Sequence, residues 1–325
     1  MVEKNFYYWS PTVHWRIEGE TLIINSHKFQ GKVTELFPKL YYVFQKGIDL
    51  QSLPQLFADF NPKLIRMFVR DLVTYRIVIK DLNTPKEIFY LQKNIYGSQY
   101  EEEYFLFGDN VEKYRKEQLL RFDTIQNRET IELPSPKRLP DYIINRKSTR
   151  NFNTTKPITK VELSNILSIY KQHNRDEIKY LYPSAGGVYP INIYLYIKEN
   201  RVEGMGRGLY FYNPATHSIH LINHTNPIQK DSQFFTNANI FEGSAFTLYF
   251  TYYANANMDK YKGDGYYFGI LDCGIMVGYL NLIAEHLGIG TCSIGEINFN
   301  KIKDIFQLKE NEIYLHSVEV GNKNI

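Results

Sequence analysis

The sequence predicts an α+β protein, in which a small winged-helix-like unit precedes a larger domain of mixed sheet flanked by helices. Helical and strand-like periodicities alternate along the 325 residues without any internal repeat. Leu133-Pro134-Ser135-Pro136-Lys137-Arg138-Leu139-Pro140 holds three prolines, which forbid regular structure and mark a boundary. Finally, one long apolar pattern, from about Gly265 to Leu287, has the character of a helix buried against a sheet.

Taken in order, Thr12 to Asn25 reads as a hairpin turning at Glu18-Gly19-Glu20. Val33 to Phe44 is helical, with Leu36, Leu40 and Val43 inward, and a second helix starts at Pro62 behind Asn61, a residue suited to cap it. That helix places Ile65, Phe68, Val69 and Leu72 on one face and leads into a short strand, Ile77 to Ile79. Residues 1–82 therefore form the winged-helix-like domain. Residues 83–138 connect it onward, with a helix over Val111 to Leu120 and no usable motif in 84–132. Residues 139–325 form the second domain. Its elements are a helix from Lys160 to Tyr170 with Ile166, Leu167 and Ile169 in the core, a strand from Ile191 to Ile197, and a hairpin, Leu209 to Tyr212 and Ser218 to Ile222, turning at Asn213-Pro214. The strand Phe246 to Tyr253, the long helix and a last strand, Ile313 to Val320, complete it.

Composition narrows the function. A hydrophobic content of 43% with 22% charged residues is that of a folded chain. The net charge of +3 is small, and the second N-terminal helix carries only Lys63, Arg66 and Arg70 offset by Asp71, so nucleic acid is not expected. Cys273 and Cys292 are too few for a disulfide framework and lack metal-ligand spacing, which favours a reducing cytoplasm and no metal. His217 and His220 lie an odd number of residues apart on one strand and point to opposite faces, which also argues against a shared ion. Met1 to Pro11 lacks the apolar core of a secretory signal, and the longest apolar run, Cys273 to Ala284, contains Asn281 and is too short to span a bilayer.

Four segments carry candidate chemistry. In Pro183-Ser184-Ala185-Gly186-Gly187-Val188-Tyr189-Pro190 the two glycines permit positive φ and let a flat ligand approach the main chain, while Ser184 adds a hydroxyl. Arg146-Lys147-Ser148-Thr149-Arg150 offers two guanidiniums that face the same way if the stretch is helical, with forks matched to phosphate oxygens. Lys323, after the last strand, is a further phosphate ligand candidate. Asp259 to Gly265 reads as a polar loop before the long helix; Lys260 and Tyr261 have ordinary pKa values near 10, so either serves as a base only if burial or a neighbouring cation lowers that value. Gly269, Gly274 and Gly278 each cost the helix about 1 kcal/mol relative to alanine, and the last two leave a smooth face for a second helix or a cofactor. The Gly288 to Gly295 loop follows a helix, and Gly204 to Gly208 leads into a strand; neither fits a dinucleotide fingerprint.

In this order the segments resemble the nitroreductase-like flavoproteins, and specifically the SagB-type azoline dehydrogenases of peptide natural-product pathways. The resemblance covers roughly residues 133 to 325: Leu133-Pro134-Ser135-Pro136, Arg146-x-Ser148-x-Arg150, Pro183-Ser184-Ala185-Gly186-Gly187-x-Tyr189-Pro190, Lys260-Tyr261 and Gly288-x-Gly290-Thr291-x-x-Ile294-Gly295. It departs in the long helix, where members often carry Gly-His-x-x-Gln-Asn and this chain has Gly274-Ile275 and Gly278-Tyr279. The N-terminal unit is similar to small winged-helix elements that bind leader peptides or pack beside such oxidases.

The resemblance implies a homodimer with FMN at the subunit interface. Arg146, Ser148, Arg150 and Lys323 would hold the phosphate and ribityl region, and Ser184, Ala185 and Gly187, within Pro183 to Gly187 and beside Gly186, would reach the ring from the partner subunit. Ser293, Ile294 and Gly295 would contact its other edge, and Lys260 and Tyr261 match the catalytic pair. The implied reaction is oxidation of thiazoline or oxazoline rings to thiazole or oxazole, with the flavin reoxidised by dioxygen. The substrate peptide would ride on a leader peptide or a peptidyl carrier protein, beside a cyclodehydratase complex or a nonribosomal synthetase module. Two other functions fit part of the pattern: an NAD(P)H-dependent nitro or quinone reductase, and a flavin-free peptide-binding protein.

Overall fold

A computed structural model describes residues 6–10, 13–25, 27–75, 77–80, 100, 102–120, 129–173, 179–234, 236–295, 297–309 and 311–324. Thr12, the first residue of the expected hairpin, and much of the 84–132 stretch lie outside these residues. The chain divides into two compact units, residues 1–133 and 134–325.

The first unit holds two three-stranded antiparallel sheets. One, in the order β5-β1-β6, consists of Phe6–Trp9 (β1), Ile48–Asp49 (β5) and Val78–Lys80 (β6). The other joins the expected hairpin, Trp15–Glu18 (β2) and Thr21–Ile24 (β3), to a third strand, His27–Gln30 (β4). The alternation that marks a strand is weak in Phe6–Trp9 and His27–Gln30, so these two were not legible in advance. Helices Val33–Lys46 (α1), Leu53–Leu56 (α2) and Pro62–Thr74 (α3) complete the unit. Asn61 Oδ1 accepts from the Lys63 amide at 2.9 Å and starts α3 as its N-cap. Leu36, Leu40 and Phe44 of α1 and Ile65, Phe68 and Leu72 of α3 share one core with Leu22, Ile24 and Trp9. Trp9 and Trp15 both meet Phe37 and Tyr41 edge-on, an arrangement that suits aromatic quadrupoles. Helix α4 (Gly108–Leu119) has no buried residue.

The second unit is built on a six-stranded sheet in the order β11-β12-β10-β7-β8-β9, with every pair antiparallel. Its strands are Ile191–Ile197 (β7), Gly208–Asn213 (β8), Ser218–Asn223 (β9), Phe246–Tyr253 (β10), Ile289–Ile294 (β11) and Glu312–Asn322 (β12). Period-two alternation divides β10 cleanly. Phe246, Leu248, Phe250 and Tyr252 face the core shared with the helices Lys160–Ser168 (α6) and Asp264–His286 (α9). Tyr249 faces the other core, with Ile240 and Phe241 of Asn237–Gly243 (α7) and Phe306 of Lys303–Phe306 (α10). Thr159 and Glu162 close a reciprocal capping box at the start of α6. The remaining helices are Asp141–Ile144 (α5) and Asn255–Tyr261 (α8).

Four local expectations are corrected. Gly288 to Gly295 is not a loop, because Ile289–Ile294 pairs with β12 as an edge strand. Arg146 to Arg150 is not helical, since α5 ends at Ile144. Asp259, Lys260 and Tyr261 belong to α8, which Lys262 ends with a φ of 55°. The helix containing Cys273 to Ala284 runs for 23 residues, so it is long and apolar enough to cross a membrane by length and composition. Here, however, Cys273, Met276, Val277, Leu280 and Ala284 pack into the sheet core.

Candidate active site

Two clusters assemble from the residues singled out in the sequence. The first gathers around the Pro183 to Pro190 segment. Gly186 has φ 63°, Gly187 φ 67° and Tyr189 φ 55°, so the chain turns through the left-handed region where glycine is favoured. A Cβ on Gly186 would lie 2.1 Å from the Tyr261 hydroxyl and 2.8 Å from Lys260 Nζ. Only a glycine leaves room for both side chains to lie on the main chain here. Tyr261 is half-buried and edge-on to Phe268, with ring centroids 5.1 Å apart, while Lys260 is exposed, its Nζ 4.9 Å from the Tyr261 ring centre.

Beneath this turn lies a residue that sequence reading missed. Asp272 of α9 is buried; its Oδ2 accepts from Ser184 Oγ at 2.6 Å and its Oδ1 from the Ala185 amide at 3.2 Å. The Ser184 hydroxyl accepts in turn from the Tyr189 amide at 2.9 Å. The serine hydroxyl is thus engaged inside the turn, and what Ser184 to Gly187 present outward is main chain. A lone carboxylate inside an apolar helical run was the available signal. Asn257 is a second buried anchor: its Nδ2 donates to Gly265 O at 3.0 Å and its Oδ1 accepts from the Tyr252 hydroxyl, which ties α8 to α9.

Burial raises the Asp272 pKa above the ordinary carboxylate value, and the bonds from Ser184 and Ala185 oppose that shift in part. A raised native pKa means that the folded state favours the proton, so this contribution to stability is full below about pH 4 and fades as pH rises through the shifted value. Asp272→Asn removes the titration. The stability of this variant relative to wild type is therefore expected to rise between about pH 4 and pH 7, measured as the difference in Tm across that range; a constant difference would contradict the assignment.

The second cluster surrounds Arg146 to Arg150. The Thr149 amide donates to Thr291 O of β11 at 2.8 Å, and the Thr149 side chain rests on Gly290, where a Cβ would lie 2.7 Å away. Thr149 is buried while Ser148 and Arg150 on either side are exposed, so the guanidiniums project outward without helical geometry. Among the described residues, neither Arg146 nor Arg150 takes part in an ion pair. Arg150 also lies close enough to Cys292 to oppose the rise that burial imposes on that thiol. Lys323 stands beside this segment through a bridge between Phe152 and Lys323, but its ammonium is paired with Glu285 at 2.6 Å. Ser293 is exposed and Ile294 buried at the end of β11, and Gly295 has open space where a Cβ would stand.

The two clusters meet α9 at different levels. Asp272, near its middle, anchors one and Glu285, near its C-terminal end, borders the other through Lys323; these two residues are thirteen positions apart, about 20 Å along the axis. Along one side α9 turns out Tyr267, Leu271, Gly274 and Gly278, all exposed, and neither glycine has a neighbour within 4 Å of a built Cβ. The helix glycines thus divide: Gly269 makes room for the Tyr252 ring, 2.6 Å from a Cβ, whereas Gly274 and Gly278 face outward.

An antiparallel sheet packed on both faces by helices, with polar turns gathered around one long core helix, defines a nitroreductase-like oxidoreductase domain. Residues 143–321 match the Nitroreductase family, and the chain belongs to it. A Methanocaldococcus jannaschii protein named as a nitroreductase is 29% identical over 201 residues, which are 59% of this chain and 96% of that protein. Among solved structures, a chain of the E. coli microcin synthetase McbBCD complex with truncated pro-MccB17 bound shares the fold. Its TM-score is 0.51 at 17% identity, over 73% of this chain and 87% of that one. A nitroreductase structure from Ralstonia eutropha matches 59% of this chain and 89% of its own length, with TM-score 0.46 and 20% identity.

Proposed function

We propose that this protein is an FMN-dependent dehydrogenase that oxidises thiazoline or oxazoline rings in a peptide to thiazole or oxazole. The observation that carries this is the convergence of the Lys260 and Tyr261 side chains on the Gly186 main chain, beside open space at Gly187. The residues fit FMN: among the described residues Arg146 and Arg150 take part in no ion pair, which suits them to a phosphate, and the turn has open space beside Gly187, where a planar ring could approach. When bound, FMN supplies a hydride acceptor that dioxygen restores. Lys260 or Tyr261 removes the ring proton next to the azoline carbonyl. Asp272 holds the turn in place below them.

The anchors of the two clusters on α9, Asp272 and Glu285, lie about 20 Å apart along the axis, and in this reading one chain does not bring both clusters to a single ring. A homodimer does, if the phosphate residues of one copy meet the Ser184 to Gly187 turn of the other, and the exposed Tyr267, Leu271, Gly274 and Gly278 stripe supplies an apolar face for that pairing. The microcin synthetase neighbour, a complex solved with a pro-peptide, is consistent with a peptide substrate and a cyclodehydratase or synthetase partner. The test is direct: the purified yellow protein is mixed in air with a thiazoline-containing peptide, and a mass loss of two hydrogens is expected. Rapid bleaching by NADPH with no reaction on the thiazoline would favour a nitro or quinone reductase instead.

A further inference from the structure

The β8–β9 hairpin is fastened to α6 by three side chains that the flavin chemistry does not use. Ser164, exposed on α6, has its Oγ 2.9 Å from Nε2 of His217, and Nδ1 of the same ring lies 2.8 Å from the hydroxyl of the buried Tyr212. The Tyr212 hydroxyl also lies 3.1 Å from Leu167 O. A carbonyl only accepts, so the single Tyr212 proton goes to Leu167 and the phenol oxygen accepts from His217 Nδ1–H. That tautomer, assigned from the network, leaves a lone pair on Nε2, which accepts the Ser164 proton. Each of the three contacts then carries one proton. The reverse tautomer would set the Tyr212 oxygen against Leu167 O with no proton between them.

A hydroxyl bonded to a base whose other nitrogen is oriented by a third group is the arrangement of an activated nucleophile. Tyr212 takes the orienting place here. Both sides of the contact are held: the Thr159–Glu162 box fixes the start of α6, Asn213 Oδ1 accepts from the Ala215 amide at 3.0 Å, and the Gln172 amide donates to Pro214 O at 3.0 Å. His217 itself stands at φ 51°, a conformation that persists where the surroundings over-determine it. The titratable groups around the ring are Tyr212 on β8 and, beyond α6, Lys171 and His173. Burial first, then the charges of Lys171 and His173, press the His217 pKa below the ordinary imidazole value, and the bond with Ser164 opposes them in part. The ring is therefore neutral, and able to accept a proton, at pH 7.

We propose that Ser164 is a nucleophile activated by His217 and that it takes an acyl group from an activated carboxylic ester. In this step the bond from Ser164 Oγ to the carbonyl carbon forms and the bond from that carbon to the leaving oxygen breaks. The Ser164 proton passes to Nε2 and from there to the leaving oxygen, and no electrons change hands. The proposal goes beyond the flavin reaction and does not require it. The test uses the full chain and p-nitrophenyl acetate, with the acetyl group located by peptide mass mapping. Ser164 should be acetylated at least tenfold faster than Ser135, an exposed serine of the proline-rich stretch, and the rate should fall as the pH is lowered through a value below about 6.5. Ser164→Ala, at an exposed position, should remove the adduct and leave Tm unchanged. His217→Gly, which suits the positive φ, should slow acetylation of Ser164 by about 10²- to 10⁴-fold. Added imidazole should then restore the rate at Ser164 relative to Ser135, which a merely structural histidine would not allow. Equal acetylation of Ser164 and Ser135, an unchanged rate in His217→Gly, or no recovery with imidazole would overturn the proposal. No flavin turnover is measured, so this result and that of the thiazoline assay are separable.

Discussion

Replacing Tyr261 by phenylalanine or Lys260 by alanine is expected to slow thiazoline oxidation by about 10²- to 10⁴-fold, the usual contribution of a positioned general base, while flavin stays bound. The expectation follows from their placement. Both side chains lie on the Gly186 main chain, remote from Arg146 and Arg150, so their removal leaves the phosphate cluster untouched. Single-turnover kinetics separate the outcomes, because loss of a base slows the chemical step without weakening the binding of peptide or FMN. The two substitutions together should cost little more than the worse of the two if the residues act as one unit. A variant of either residue that keeps flavin and full turnover would remove it from the mechanism.

Replacing Arg146 and Arg150 together by alanine should yield a colourless protein, with FMN affinity reduced by at least about 10²-fold. Charge-assisted hydrogen bonds contribute about 1.5–3 kcal/mol each, and among the described residues no acid pairs with either guanidinium. Riboflavin, which has no phosphate, is the control. Its affinity should change far less, so the preference for FMN over riboflavin collapses. Thermal stability should hold, because both side chains are exposed and the segment is anchored by Thr149 on Thr291 and Gly290. A double variant that retains the FMN preference would place the phosphate elsewhere. Lys323 provides a contrast: its bond to Glu285 makes it a structural partner first, and its loss should affect stability as well as affinity.

Most of the secondary structure was legible because its signals are local. Asn61-Pro62 opens α3, Asn213-Pro214 turns the β8–β9 hairpin, and the alternation in Phe246 to Tyr253 makes β10 a strand with two buried faces. The errors have physical causes. Gly288 to Gly295 is rich in glycine and reads as a loop, but it becomes an edge strand because Thr149 and Phe152 need flat surfaces at Gly290 and Gly321. His217, expected on a strand, precedes β9 with φ 51°, where its Nδ1 meets the Tyr212 hydroxyl at 2.8 Å and its Nε2 meets Ser164 Oγ at 2.9 Å. Lys260 and Tyr261 ended up on a helix because Asn257 ties that turn to Gly265, a contact with no local signature.

The sequence by itself determined which residue types could do chemistry: two guanidiniums around Ser148, a glycine turn and an adjacent Lys260-Tyr261. These depend on side-chain identity and short spacing, which any reader of the chain can see. Only the tertiary structure decided how they group. It set Lys260 and Tyr261 on Gly186, engaged the Ser184 hydroxyl with the buried Asp272, and placed Arg146 to Arg150 at the far end of the same helix. Such grouping depends on contacts between residues tens of positions apart, formed when α9 packs on the sheet, and no local pattern encodes a distance across a core.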